Sequence, residues 1–574
     1  MTLCLRFFQQ GFATCALISA VLACTPVAFA AALPDNDTRK GATLDAQEQL
    51  RQQARERVLQ QQNAPESDVR LARPDAVTPD YPANEKPCFM IHSLRLEGDL
   101  APRFQWALEA AEGAKGRCLG GQGIMLVINK VQNAILAKGF VTTRVMAQEQ
   151  DLTKGALILT LQPGRIGRVH FEEPVSWRAR MWNAVPATSG EVLNLRDIEQ
   201  GLENFRRVPS ATADISILPG DQDGTSDLLV NWKEGRPVRL SLGLDDSGSQ
   251  STGRYLGSAT LAVDAPFAHN DLFYANIGKD LFQHGPFGNR SHTLNYSVPV
   301  GYWGLAANYN NYTYHQNIAN ANEVLSYSGK SDNVQLTLSR LLFRNQLHKT
   351  TLNMRLWRRH STNAVEGIEI EQQRRRTAGW ELGLNQRSYL GNATLDANLS
   401  WRLGTGAFGA LRAPEEDTQS GSARTGIALG DISLNQPFTL GQEPWRFVTS
   451  VRGQWSANPL TPQDRMAIAG RYSVRGFDGE QILSGEKGVI WRNELAWNVL
   501  SRGHELYAAL DYGRVDGPGT RYLAGHQLVG SALGVRGALW DRFSYDLFAG
   551  VPLQKPDQFH TSGATAGFSL NLDI

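Results

Sequence analysis

The chain has 574 residues, and its 57 lysines and arginines nearly balance its 56 aspartates and glutamates, for a formal net charge of +1. This balance disfavours a basic nucleic-acid-binding surface, so no nucleic-acid partner is expected. After its N-terminal segment, no run approaches the roughly 18 uncharged apolar residues of a membrane-spanning helix. A chain with 55 glycines, 13 Trp, 15 Tyr and 22 Phe is therefore predicted to be either a soluble periplasmic protein or a β-barrel.

The N-terminus has the pattern of a secretory signal peptide. Arg6 precedes an apolar stretch at 11–23, and Ala28 and Ala30 then place small residues at the positions that a signal peptidase reads. Residues 1–30 are therefore predicted to be cleaved, so that the mature chain is exported. A lipoprotein site at Cys24 is the alternative.

The cysteines that remain after this cleavage are Cys88 and Cys118. In an exported protein, two cysteines most simply form one disulfide. Without a nearby cluster of histidines they do not supply the tetrahedral ligands of a structural zinc site. The sequence therefore predicts a disulfide, no metal site and no cofactor.

A polar helix is predicted at 43–63, within an N-terminal segment at 31–64. This stretch has no Gly or Pro and is rich in strong helix formers, but its apolar residues are too few to bury a broad face. Such a helix lies in water or along a wet wall, and a solvated or partly disordered segment is the alternative. Residues 65–87 are rich in proline and charge, which predicts a semi-extended linker.

Two similar α+β modules follow, at 88–163 and 164–237. In the first, a strand at 89–96 and a helix at 124–138 precede strands at 140–146 and 156–161. The second repeats this order, with a strand at 165–171, a helix at 195–205 begun by Asn194, and strands at 213–218 and 227–232. Each module has about 75 residues, a size at which a small domain can fold.

From residue 238 to 574 the period of the apolar pattern changes to two. Between Ala393 and Leu403, one face of the predicted strand is wholly apolar and the other wholly polar. Similar segments recur to the end of the chain, separated by turn-rich stretches. A transmembrane outer-membrane β-barrel of about 16 strands with a wet lumen satisfies both faces and leaves no open edge. The fold class is therefore mainly β.

The sequence carries no catalytic constellation, so the protein is not expected to be an enzyme. Neither a histidine metal motif nor a serine nucleophile motif occurs. The glycine-rich stretch at 119–123 lacks the lysine of a phosphate-binding loop and is interpreted as a turn. A basic run at 374–376 is interpreted as a solvated loop, with contact to lipopolysaccharide or a passing substrate as the alternative.

Four short motifs together resemble the two-partner secretion transporters, which include the haemolysin and filamentous-adhesin secretion proteins. They are LNLRDIEQGLE at 193–203, YSVP at 296–299, VRGF at 474–477 and FAGVPL at 548–553. The resemblance covers essentially the whole mature chain, although Ile574 departs from the aromatic residue common at the end of such barrels. It implies that the two modules are periplasmic POTRA domains and that the 43–63 helix can plug the pore.

The resemblance also implies a site inside the lumen. The VRGF motif, made of Val474, Arg475, Gly476 and Phe477, would lie at the tip of a long loop folded into the barrel. Its arginine would pair with an acid in a wall motif that here fits 510–513 and contains Asp511 and Gly513.

Alternation along the strand independently turns Asp511 towards the lumen, because an acid on the lipid face is costly. An arginine fork can grip such a carboxylate with two hydrogen bonds. Asp396, Glu494 and Asp546 are also plausible inward acids.

These features predict an outer-membrane transporter that secretes one large β-rich exoprotein without ATP, with the POTRA domains in the periplasm. The partner would be a haemolysin, an adhesin or a contact-dependent inhibition toxin, and the sequence leaves open whether the transporter activates this partner as well as exporting it. Contacts with outer-membrane lipid and lipopolysaccharide, and with the barrel assembly machinery during biogenesis, are expected. A barrel-assembly insertase and a passive diffusion porin are the alternatives.

Overall fold

The computed structural model describes residues 36–63, 68–71, 79–282, 287–319, 324–499, 503–540 and 542–574. The predicted signal peptide lies outside these ranges, as do residues 65–67 and 72–78 of the predicted linker. The chain divides after Lys40 into two compact units, and of the first only the opening residues of one helix are described. Among the described helices, none is both long enough and apolar enough to cross a membrane.

The N-terminal helix α1 spans Asn36–Gln62. It confirms the predicted helix and begins seven residues earlier, because Gly41 is tolerated within it. A single interior glycine costs only about 1 kcal/mol relative to alanine. The neighbouring helix formers and the contacts of α1, described below, offset that cost.

The first module contains β1 (Phe89–Ile91), β2 (Ser93–Glu97), the short helix α2 (Ala101–Phe104), a 3₁₀ segment (Gln105–Ala114), β3 (Arg117–Leu119), α3 (Gly121–Ala137), β4 (Arg144–Met146) and β5 (Ala156–Gln162). Strands β2, β5 and β4 form one sheet, while β1 pairs with β3. The predicted single strand at 89–96 is therefore two strands with different partners. Helix α3 buries Val127, Val131 and Ile135 in the module's core, and a disulfide joins Cys88 to Cys118.

The second module contains β6 (Arg165–Phe171), α4 (Leu195–Arg206), β7 (Ala211–Pro219) and β8 (Thr225–Glu234), with the strand order β6–β8–β7. The side chain of Asn194 accepts a hydrogen bond from the backbone N–H of Arg196 at 2.9 Å, so it caps α4 as the sequence predicts. The core side of α4 carries Ile198, Leu202 and Phe205, which are almost fully buried.

The remaining strands run from β9 to β27: β9 (Val238–Asp245), β10 (Leu256–Asp264), β11 (Leu272–Asp280), β12 (Gly288–Val300), β13 (Trp303–Ala319), β14 (Val324–Arg344), β15 (His348–Val365), β16 (Ile368–Glu369), β17 (Arg375–Leu390), β18 (Ala393–Thr405), β19 (Gly426–Leu440), β20 (Glu443–Trp455), β21 (Met466–Ile468), β22 (Leu483–Gly485), β23 (Lys487–Val499), β24 (His504–Asp516), β25 (Gln527–Leu539), β26 (Phe543–Gln554) and β27 (Thr565–Asp573). A closed barrel of 16 strands forms when β27 pairs with β9. The short strand β16 pairs antiparallel with the end of β15, and β21 and β22 form a separate hairpin.

The wall of the barrel separates the two faces that the sequence predicts. On β18, Leu399 and Trp401 point outwards and are 68% and 42% exposed, whereas Asn398, Ser400 and Arg402 line an internal cavity. The outer face therefore suits lipid and the inner face suits water, as in outer-membrane barrels.

The two rims of the barrel differ. The second module leads directly into β9, so the turns at this end, such as 301–302 and 345–347, form what we call the module-side rim. The loops at the other end are longer. The longest connects β20 to β23 and contains the β21–β22 hairpin; residues 456–486 are called the lumen loop below.

Candidate functional site in the barrel lumen

The VRGF residues lie near the middle of the lumen loop and pack against the inner wall of the barrel. Val474 is fully buried and Phe477 is 3% exposed. They share an apolar cluster with residues of the hairpin, of the inner wall and of the β26–β27 loop, namely Met466, Ile468, Leu483, Ile490, Val515, Leu528 and Phe559. The ring of Phe477 meets that of Phe559 edge-on, with centroids 5.8 Å apart. This cluster fixes the loop to β23, β24 and β25.

Arg475 joins two acidic residues of the wall. Its Nε donates to Oδ2 of Asp511 at 2.7 Å, and its Nη2 donates to Oδ1 at 2.8 Å. Its backbone N–H donates to the same carboxylate at 3.0 Å. The remaining Nη1 donates to Glu494 at 2.7 Å. The arginine fork is thus fully used, which makes its position specific as well as stable.

Further charges continue this network along the wall. Arg536 bridges Glu494 at 2.5 Å and Glu505 at 2.8 Å. Glu505 in turn pairs with Arg446 at 2.5 Å. Positive and negative groups thus alternate from β20 to β25, and Glu494 lies between two arginines. Each charge in the network therefore has a partner of opposite sign.

Glycines allow the loop backbone to approach the wall closely. Gly476 has a φ of 94°, and a Cβ there would lie 2.4 Å from the carbonyl oxygen of Val551. On the wall, a Cβ at Gly530 would lie 1.9 Å from the carbonyl oxygen of Arg475, and one at Gly550 would lie 2.9 Å from Cα of Gly476. Side chains at these positions would push the loop away from the wall.

Gly513, the second predicted wall residue, lies under the loop. A Cβ there would lie 2.7 Å from Cγ2 of Val474. The structure therefore places Gly513 against Val474 and Asp511 against Arg475. Glu494 bonds to the same arginine, while Asp396 pairs with Arg387 at 2.7 Å and Asp546 accepts from a tyrosine.

Helix α1 contacts the lumen loop directly. The amide of Gln47 donates to the carbonyl oxygen of Gly479 at 3.2 Å, and Arg51 lies 3.7 Å from the carboxylate of Glu480. On the opposite side of the lumen, the hydroxyl of Tyr312 donates to Glu48 at 2.8 Å. A cavity of about 520 Å³ remains beside the helix, so α1 obstructs the lumen without filling it.

The second module is joined to the module-side rim by polar contacts of α4. Arg344 bonds to Glu199 at 3.0 Å and to Glu203 at 2.7 Å. The amide of Asn204 donates to the carbonyl oxygen of Gly301 at 2.8 Å. Module and barrel are thus held together at the point where LNLRDIEQGLE, one of the motifs singled out in the sequence, forms a helix.

The half-buried Asp197 of α4 adds a further contact between the second module and the rim. The hydroxyl of Tyr302 in a rim turn donates to it. Burial raises the pKa of the Asp197 carboxyl, and the hydrogen bond from Tyr302 opposes the rise only in part.

Several contributors to the site were not predicted from the sequence. Gly530 lies inside a strand, where a glycine often marks a close backbone approach, but 55 glycines in the chain made that signal too weak. Arg536 and Glu505 carried no signal of their own. In the basic run at 374–376, Arg374 pairs with Glu369 at 2.6 Å. Across the described ranges, no three or more His, Cys, Asp or Glu side chains are grouped to hold a metal.

Family models match most of the chain. Residues 224–537 match the haemolysin secretion/activation protein family ShlB/FhaC/HecB. Residues 89–164 match the ShlB-type POTRA domain, and residues 165–219 match a second POTRA domain model.

Individual relatives and solved structures agree with these matches. The chain is 37% identical to the outer membrane transporter CdiB-2 of Burkholderia pseudomallei, with 96% of this chain and 98% of the relative covered. It is 28% identical to the hemolysin transporter protein ShlB of Serratia marcescens, covering 83% and 84% of the two chains. The solved structure of CdiB from Acinetobacter baumannii aligns with a TM-score of 0.81 at 31% identity, over 93% of this chain and 99% of that one.

Proposed function

Since the chain belongs to the haemolysin secretion/activation protein family and is a two-partner secretion transporter of the outer membrane, we propose that the lumen network and the two POTRA domains cooperate in exporting one large β-rich exoprotein. The observation that carries this proposal is the double anchoring of the lumen loop. Arg475 fixes the loop to the wall, and α1 rests on the same loop. The pore is thus closed by elements that can separate from the wall.

The POTRA domains would receive the partner first. An unfolded segment can add to the edge of a sheet or lie in a groove beside a helix, where backbone hydrogen bonds demand little of the segment's sequence. The sheet β6–β8–β7 of the second domain offers such edges close to the barrel. The partner would then pass from the POTRA domains into the lumen.

Helix α1 must leave the lumen, at least transiently, for a chain to pass. The helix is held mainly by hydrogen bonds and ion pairs, to Gly479, Glu480 and Tyr312 among others. Such contacts exchange for water at little net cost. A plug held in this way can be released without unfolding the barrel.

Export would proceed without ATP and without covalent chemistry. The family's members are transporters, and we propose that this chain has no catalytic activity. Folding of the partner outside the cell would make its return unfavourable and so drive the export. The partner is proposed to be a contact-dependent inhibition toxin, a haemolysin or an adhesin, and outer-membrane lipid, lipopolysaccharide and the barrel assembly machinery are proposed as further contacts.

Co-expression with a large exoprotein encoded beside the transporter gene tests this function. We expect the partner in the medium when the transporter is present, and in the periplasm when it is absent. Heat-modifiable mobility of the barrel in isolated outer membranes provides the control for insertion. A correctly inserted transporter that leaves every such partner in the periplasm would contradict the proposal.

A further inference from the structure

A short stretch of the linker lies sandwiched between the second POTRA domain and the barrel. In residues 68–71, the backbone N–H of Val69 donates to Glu203 at 3.1 Å, and that of Leu71 donates to Glu199 at 2.9 Å. The Val69 side chain is 6% exposed and joins the core of the domain, against which Leu71 also packs. One side of this stretch is thus part of the POTRA domain.

The other side of the stretch is held by the barrel. Asp68 lies 3.5 Å from the ammonium of Lys349 and 3.1 Å from the guanidinium of Arg387. The guanidinium of Arg70 lies 3.6 Å from the centre of the Tyr389 ring. The barrel residues come from the ends of β15 and β17 at the module-side rim. Alternate residues of the linker therefore face the domain and the rim.

The acidic residues of α4 depend on both contacts. Glu199 is fully buried and Glu203 is 5% exposed, and each bonds to Arg344 of the rim as well as to the linker. Arg344 also donates to the carbonyl oxygen of Val69. Because buried charges are costly when they lose partners, the linker stretch stabilises the joint and resists being detached from it.

The length of the intervening chain limits how far α1 can move while this stretch stays bound. Asn63, just after α1, and Asp68 are five positions apart in the sequence, so they can separate by about 18 Å at most. The part of α1 from residue 41 to 62 is about 33 Å long. If α1 moved out through the module-side rim as an intact helix, about 15 Å of it would therefore remain inside.

We propose that residues 68–71 form a latch that keeps α1 in the lumen, and that the latch must detach from α4 and from the rim before the helix can leave. This inference rests on the proposed withdrawal of α1. The plug would then be released at the contacts between the second POTRA domain and the module-side rim, at some distance from the lumen loop. Opening of the pore and loosening of the linker are then one event.

Weakening the latch tests this proposal in planar bilayers with the purified transporter and no partner. The variant Asp68→Ala/Val69→Ser removes the two ion pairs of Asp68 with the rim and part of the buried apolar contact, while leaving Arg344 bonded to α4. We expect its open fraction to rise by about tenfold, the effect of about 1.4 kcal/mol. Asp80→Ala is the matched control, because Asp80 is exposed in the same linker and its replacement is expected to change nothing.

Locking the latch provides the opposite test. In the variant Asp68→Cys/Lys349→Cys, a bismaleimide cross-link ties the linker to the rim. We expect the large openings seen without cross-linker to disappear, and a cleavable cross-linker to restore them on cleavage. Openings that persist in the cross-linked protein, or a loosened variant that opens no more often than Asp80→Ala, would overturn the proposal. Export of the partner by Asp68→Cys/Lys349→Cys is assayed separately, before the cross-linker is added. A lack of export in that assay would count against the proposed function and not against the latch.

Discussion

At residue 475, one side chain neutralises two carboxylates that belong to neighbouring strands. Asp511 is fully buried and Arg475 is 6% exposed, so little water screens their pairing. Removing the arginine would leave Asp511 and Glu494 facing each other without the cation between them. The free energy that holds the lumen loop against the wall would then fall by about 3 kcal/mol or more. We expect Arg475→Ala to lower partner export at least tenfold while the barrel still inserts, as measured by partner in the medium and heat-modifiable mobility.

Two further variants distinguish the effect of the Arg475–Asp511 pair from the effect of the positive charge alone. Arg475→Lys keeps the positive charge but lacks the fork that meets both carboxylates, so an intermediate export level is expected. If Arg475 and Asp511 act as a unit, the double variant Arg475→Ala/Asp511→Ala should export no less than Arg475→Ala. Wild-type export by Arg475→Ala would rule out a role for the pair.

The neighbouring Gly476 permits a close contact that no other residue allows. Alanine at this position would combine an unfavourable φ of 94° with a contact of 2.4 Å to the Val551 carbonyl oxygen. Gly441 in a rim turn also has a positive φ, but a Cβ there meets open space. We therefore expect Gly476→Ala to lower export strongly and Gly441→Ala to have little effect. Equal effects of the two would assign the loss to backbone strain alone.

The linker residue Asp68 gives the latch a pH dependence of predictable sign. Burial would raise the pKa of its carboxyl, but the positive charges of Lys349 and Arg387 outweigh burial and lower that pKa below the ordinary 3.8. The carboxylate therefore stabilises the latched state above about pH 4, and this stabilisation is lost as the pH falls below its ordinary value.

The measurement is the open fraction of single channels between pH 3 and pH 8. Asp68→Asn should open more often than wild type at neutral pH, and the difference should shrink below about pH 4. A difference that stays constant down to pH 3 would show that the carboxylate charge of Asp68 is not what holds the latch.

Among the elements of the fold, α1 is the one whose removal should leave the barrel intact. Its described contacts reach the lumen loop and Tyr312 but include none of the strand pairs that close the barrel. Deleting residues 43–63 should therefore raise single-channel conductance several-fold, measured in planar bilayers. Arg412→Ala, which changes an exposed loop residue, is the control for effects of purification and reconstitution on the conductance. Unchanged conductance would mean that α1 does not obstruct the pore.

The disulfide Cys88–Cys118 is expected to stabilise the first POTRA domain. The bond closes a loop with a sequence separation of 30 residues, which corresponds to about 3–4 kcal/mol of reduced chain entropy in the unfolded state. The variant Cys88→Ser/Cys118→Ser should therefore make this domain more sensitive to protease in the full-length chain, with the barrel still resistant. Equal cleavage rates in variant and wild type would contradict this expectation.

The periodicity of apolar residues predicted the helices and strands more completely than it predicted the contacts between them. The alternation on β18 and the helix at α1 are properties of the local chain, and both are confirmed. The predicted strand at 140–146 is shorter, because residues 140–143 form a turn in which the backbone N–H of Thr143 donates to the carbonyl oxygen of Phe140. That Glu494 shares Arg475 with Asp511 depends on the register of β23 against β24, which no local pattern encodes.

At the scale of the whole molecule, the barrel and the second POTRA domain are connected through buried polar groups, among them two carboxylates of α4. Glu199 and Glu203 bond both to Arg344 of the barrel and to the linker that leads to α1. The domain that would receive the partner, the wall of the pore and the plug are therefore coupled at one joint. A change at this joint should affect export without altering the lumen site.

Replacing Arg344 is the most direct test of this coupling. Its replacement by alanine would leave Glu199 with Arg196 and Glu203 with Lys349 as their remaining cations, and the lost charged hydrogen bonds would cost about 1.5–3 kcal/mol. We expect Arg344→Ala to speed proteolysis at residues 235–237, between domain and barrel, and to lower export while the barrel inserts normally. Arg340→Ala is the matched control, because Arg340 lies on the same strand but is exposed and contacts Trp303 instead. If both variants are cleaved at the same rate, the carboxylates of α4 do not hold the domain to the barrel, and the coupling between POTRA domain and plug must pass through other contacts.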